Sequence, residues 1–124
     1  MAKDPKLYAD HLLEAVANIE ADIEGLDYEG FRTDRRTRQL VEWNLEIISE
    51  SSRRLPEHLK AKETDIEWSA IAGIGNVLRH DYHESQPTIL WETCKKDIPT
   101  LKAAVKRIRR AIEREQKRDN DLSL

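Results

Sequence analysis

Four stretches of this chain carry apolar residues three, four or seven positions apart, and short segments rich in Gly, Pro or polar residues separate them. That spacing lays an apolar stripe along a helix, whereas a half-buried strand would alternate with a period of two. With only four Gly and four Pro, 39% hydrophobic and 36% charged residues, the chain is predicted to be all-α, with heavily solvated outer faces. Its 124 residues give room for one domain with a single core of modest size.

The first helix is predicted from Asp4-Pro5, with Asp as cap and Pro in the first turn, to about Glu24. Leu12, Val16, Ile19 and Ile23 mark its buried face, and Gly25 to Gly30 reads as an exposed connection. Thr33-Asp34 opens a second helix that buries Leu40, Val41, Asn44, Ile48 and Leu55 and ends near Pro56. Lys60 to Thr64 reads as a polar connection, and a third helix begins at Thr64 or Asp65 and runs through Trp68 to about His83. Ser85-Gln86-Pro87-Thr88 breaks the chain before a last helical segment, interrupted or kinked at Pro99, with Leu90, Cys94, Leu101, Val105, Ile108 and Ile112 as its core positions. Four main helices, frayed from about Lys117, make an up-and-down bundle the simplest architecture.

The net charge of -3 argues against a general nucleic-acid coat protein. The average hides an asymmetry: residues 1–30 hold two Lys and eight acids, residues 101–124 eight Lys or Arg and four acids. Arg32, Arg35, Arg36 and Arg38 form either a solvated face with local ion pairs or a phosphate-binding wall. Lys102, Lys106, Arg107, Arg109 and Arg110 spread around several helix faces, as a solvated surface would. The single cysteine, Cys94, reads as a small buried apolar residue. Neither a secretory leader nor a run of roughly 20 apolar residues is evident, so the cytoplasm is the expected location.

The chemistry concentrates in Asn76-Val77-Leu78-Arg79-His80-Asp81-Tyr82-His83. At about 100° per residue, Trp68, Ile71, Ile74, Leu78 and Tyr82 share one broad apolar arc, and Arg79, His83, Asn76 and His80 come next on the adjoining arc. His80 and His83 have no companion acids or cysteines at a metal-ligand spacing, and Gly73-Ile74-Gly75 is too short for a phosphate loop, so no metal or cofactor is expected. His83 reads as a surface residue.

The stretch from Trp68 to Tyr82 resembles the motif helix of HEPN-domain ribonuclease toxins of the HepT type, whose pattern is Arg, four residues, His, one residue, Tyr. Leu45-Glu46-Ile47-Ile48-Ser49-Glu50 with Arg54-Leu55-Pro56 resembles that family's second helix, and Ile89-Leu90-Trp91 with Asp97-Ile98-Pro99-Thr100-Leu101 the start of its last. The resemblance implies a metal-independent endoribonuclease, dimeric, with two motif helices meeting across a shared cleft. His80 would be the general acid or base and Asn76 would orient the phosphate or the imidazole. Tyr82 would accept nucleotidyl groups from an MntA-type nucleotidyltransferase antitoxin.

The departure is Gly75, which stands where the family has its Arg. Arg79, four residues later, could fill that space, because helical side chains lean toward the N-terminus; a surface or dimer-contact role is the alternative. Two other readings keep the fold without the catalysis: a protein that binds RNA or nucleotide and pairs with the nucleotidyltransferase, and a helical adaptor.

Overall fold

The computed structural model describes residues 4–80 and 86–122, and among them there are helices and turns but no strand. The first helix, α1 (Pro5–Ile23), is capped by Asp4, whose carboxylate accepts the Lys6 N–H at 2.9 Å, with Pro5 in the first turn where its missing N–H costs nothing. Leu12, Val16, Ile19 and Ile23 are buried as the spacing predicts. Gly25, at φ +77°, turns the chain out of the helix in a conformation that favours glycine.

The segment after Gly25 departs from the predicted connection. A short helix, α2 (Tyr28–Thr33), is capped by Asp27, which accepts the Gly30 N–H at 2.8 Å, and it delivers Phe31 into the core with none of its surface exposed. The Phe31 ring lies 5.2 Å from that of Trp91, and the Tyr28 and Thr88 hydroxyls share a 2.7 Å hydrogen bond, so α2 is pinned to the later helix by both ends of its apolar face. Asp34, rather than Thr33, caps α3 (Arg35–Arg53). Its carboxylate accepts the Thr37 N–H at 3.0 Å and the Thr37 hydroxyl at 2.8 Å, which holds its pKa below the usual value.

Helix α3 packs between two neighbours. Toward α1, the Asn18 amide donates to the buried Asn44 at 3.2 Å, while Asn44 itself donates to the Leu40 carbonyl at 2.9 Å, so its polar head is satisfied inside the bundle. Val41, Leu45 and Ile48 are buried, but Leu40, predicted to join them, is 46% exposed. Leu40 and Val41 lie ~100° apart on the wheel, and it is Val41 that shares the Leu45–Ile48 side.

After Pro56 a single helical turn, α4 (Glu57–Lys60), replaces part of the predicted polar connection. Lys60 is buried along its stem, with its ammonium on the Ser52 carbonyl at 3.0 Å and the Glu57 carboxylate at 3.0 Å. Helix α5 (Trp68–His80) starts later than Thr64 or Asp65, because Glu63 to Ile66 forms turns and Glu67 supplies the first accepting carbonyl. The Trp68 indole donates to the Lys60 carbonyl of α4 at 3.0 Å, and the Lys60 ammonium lies over the Trp68 ring while bonded to Ser52. The start of α5 therefore sits beside the end of α3, and the two helices run in opposite directions.

The last rod contains α6 (Gln86–Glu92), a π-helical turn at Thr93–Asp97 and α7 (Ile98–Leu122). Gln86-Pro87-Thr88, read as part of the break before this segment, already belongs to α6, with Pro87 in the first turn, while Ser85 lies outside the described residues. The predicted interruption falls just before Pro99: the Ile98 N–H reaches back five residues to the Thr93 carbonyl, a wider turn next to a proline that has no N–H to donate. Leu90, Cys94, Leu101, Val105, Ile108 and Ile112 are buried and join α1, α3 and α5 in one contiguous core. Burial pushes the Cys94 thiol up to about 12, so it is an inert apolar group. Among the described residues, no helix is long and apolar enough to cross a membrane.

Candidate functional site

Ile71 and Leu78 are buried, and Trp68 and Ile74 pack against the core, which matches the apolar arc read from the wheel. Asn76, on the adjoining arc, is exposed, and the neighbouring Gly75 is buried. His80 is the last described residue of α5, one helical turn beyond Asn76. The side chains of Arg79 and His80, together with Tyr82 and His83, lie outside the described residues.

The wall facing this edge of α5 was not legible in the sequence. The Ser49 hydroxyl donates to the Ala72 carbonyl at 2.7 Å, and an Arg53 nitrogen donates to the same carbonyl at 2.6 Å. A serine side chain is short, so a bond from it to another helix's main chain brings α3 and α5 close together. Ala72 and the buried Gly75 carry at most a methyl group along this stretch, which permits that approach. Gly73 needs no such explanation, since a Cβ there would meet nothing within 4 Å.

Glu46 and Glu42, three and seven residues before Ser49, fall on the same side of α3 as Ser49. Partial burial raises the Glu42 pKa and Glu46 adds to the rise, while Arg38 opposes it. Spacing alone could have found both acids once Ser49 was known to face α5.

The basic residues sort differently from one another. On α7, Lys102 pairs with Glu20 at 3.0 Å, Arg107 with Glu63 at 2.6 Å, and Arg109 with Asp10 and Glu113, so these three cations tie α7 to α1 and to the turn before α5. At the start of α3, Arg32 pairs with Glu29 and Arg38 donates to main-chain carbonyls of Phe31 and Arg32. Arg35 and Arg36 are exposed and make no ion pair among the described residues. Among those residues, too, no three His, Cys, Asp or Glu side chains are placed to hold a metal ion.

The described residues thus form an all-α bundle in which α5 leaves Asn76 exposed beside the buried Gly75. Residues 12–108 match the family model described as Ribonuclease HepT-like. The chain is 33% identical over 106 residues to a "Putative RNase" of Caldanaerobacter subterraneus subsp. tengcongensis, covering 86% of this chain and 95% of that one. It is 33% identical over 110 residues to a "Probable ribonuclease HepT" of Thermococcus cleftensis, covering 89% and 100%. No solved structure is a significant match. The chain belongs to the HepT-like ribonuclease family.

Proposed function

We propose that this ribonuclease-family chain is a metal-independent endoribonuclease toxin that cuts RNA in a cleft shared by two copies, in the cytoplasm. The observation that supports this most is the exposed Asn76, one turn before His80 on a helix whose other side buries Ile71, Gly75 and Leu78. An amide held open there, one turn from an imidazole, can donate to a phosphate oxygen or to the ring.

In the proposed reaction the RNA 2′-oxygen attacks the adjacent phosphorus. The new 2′-O–P bond replaces the P–O5′ bond, leaving a 2′,3′-cyclic phosphate and a 5′-hydroxyl. One proton leaves the 2′-hydroxyl and one reaches the departing 5′-oxygen. Histidine suits this traffic because its ordinary pKa, ~6.5, lies near neutrality, and His80 is assigned to it. Asn76 orients the phosphate or the imidazole. Arg79 is assigned the developing phosphorane charge, which a planar guanidinium matches, in place of the arginine that Gly75 lacks.

Arg79→Ala is expected to lower kcat ~100-fold, with circular dichroism unchanged. Unaltered cleavage by that variant, together with a gain in Gly75→Arg, would remove Arg79 from the mechanism. Gly75 itself favours one second reading: a catalytically weakened HEPN protein that binds RNA and pairs with a nucleotidyltransferase. RNA binding by the wild type without cleavage selects that reading, and neither activity selects an adaptor.

Control is proposed to act at Tyr82. Its hydroxyl attacks the α-phosphorus of a nucleoside triphosphate on an MntA-type nucleotidyltransferase and displaces pyrophosphate, adding negative charge next to the cleft. Mass spectrometry after such a reaction should show whole nucleotidyl units on the Tyr82 peptide. Modification that persists in Tyr82→Phe would reject this assignment.

A further inference from the structure

The most exposed large aromatic side chain among the described residues is Trp43, with 66% of its surface open, at the middle of α3. It is not isolated. Leu40, one turn earlier, is also exposed, and Ile47, one turn later, borders a groove of about 320 Å³ with Tyr8 and His11 of α1. A contiguous apolar surface of this kind, with tryptophan at its centre, is the composition of a protein contact.

The charges around it are arranged in a particular order. Arg36 stands two turns before Trp43 and Glu50 two turns after, and the three share one exposed face, drifting only ~20° per step. Arg36 makes no ion pair among the described residues. Glu50 pairs with Arg53 and with Arg54, the residue that ends the helix, at 3.1 and 3.3 Å, both exposed contacts of the weak kind.

We propose that this face of α3 is where a second copy of the chain docks, the two α3 helices antiparallel and Trp43 packed on the partner's Trp43. A two-fold axis crossing α3 at Trp43 carries position 36 onto the partner's position 50. Each Arg36 then meets the partner's Glu50, twice over. A parallel pairing would instead set Arg36 against Arg36 and Glu50 against Glu50.

The antiparallel solution also decides which neighbours face each other. Helix α3 lies between α1, bonded through Asn18 and Asn44, and α5, bonded through Ser49 and Ala72. An axis lying across α3 in the contact plane reverses the helix direction but keeps its two sides, so α5 of one copy faces α5 of the other. The inference rests on the shared-cleft reading above and assigns that cleft its surface.

Sedimentation equilibrium of the full chain over a concentration series tests it, with cleavage and RNA binding measured in parallel. The wild type is expected to dimerise, Trp43→Ala to raise the dissociation constant ~30-fold or more, and Arg36→Glu to weaken the dimer until Glu50→Arg is added. Trp43 is exposed in the single chain, so melting of Trp43→Ala should match the wild type at concentrations where both are monomeric. An unchanged dimer in Trp43→Ala overturns this surface while leaving a dimeric cleft intact, and if that variant instead loses RNA affinity, Trp43 is a base-stacking residue. Failure of Glu50→Arg to restore Arg36→Glu overturns the antiparallel register. A wild type that stays monomeric while cleaving RNA overturns both the surface and the shared cleft.

Discussion

Replacing His80 by alanine is expected to lower RNA cleavage by about 10²–10⁴-fold, with helical content and melting temperature close to those of the wild type. The size comes from the chemistry: without a group that titrates near neutrality, the 2′-hydroxyl must lose its proton to water and the 5′-oxygen must leave without a donor. The fold should tolerate the change, because α5 contributes to the core through other residues, Ile71 and Leu78, packed with those of α1, α3 and α7. Steady-state cleavage of a labelled RNA, alongside circular dichroism, reads both quantities. A loss smaller than about tenfold, outside the range for acid–base catalysis, would take the proton transfer away from His80.

The second large effect concerns stability. Phe31→Ala should destabilise the chain by about 3–5 kcal/mol, the usual cost of removing a buried aromatic ring that its surroundings cannot replace. Phe31 is fully buried against Trp91, and the short α2 has no other buried side chain to hold it. Set against a typical total of 5–15 kcal/mol, such a loss is a large fraction of the stability. It should lower the melting temperature by roughly 10–20 °C. A change of under about 1 kcal/mol would mean that α2 is not part of the cooperative unit, contrary to its buried ring. The consequence reaches the site region, since α2 also holds α6 through the Tyr28–Thr88 hydrogen bond.

Most long helices were legible because each carries a repeated signal. Asp4-Pro5 announces the start of α1, and Leu12, Val16, Ile19 and Ile23 agree on one face over several turns. Helix α2 was not legible because six residues give no second period to confirm the first, and Gly25 before them and Gly30 within them both carry turn chemistry. Lys60 misled for a different reason: its charged head remains solvated by the Ser52 carbonyl and Glu57 while its stem is buried, and composition sees only the head.

At the site, the wheel placed Asn76 on an exposed edge beside an apolar arc, and the structure agrees. Periodicity could not reveal what lies opposite, because the Ser49–Ala72 bond joins residues 23 apart in the chain and depends on how two helices cross. Trp43 escaped notice for a related reason. Its place on α3 looks ordinary in sequence, and only its exposure, with Arg36 and Glu50 spaced evenly on either side, sets it apart.

The central claim is tested most directly by incubating the purified wild-type chain with a defined RNA in the presence of EDTA and mapping the new ends. The account predicts internal cuts that leave 2′,3′-cyclic phosphates and 5′-hydroxyls at a rate EDTA does not alter. Cleavage abolished by EDTA, new 5′-phosphates, or no cutting at all by the unmodified protein would contradict it.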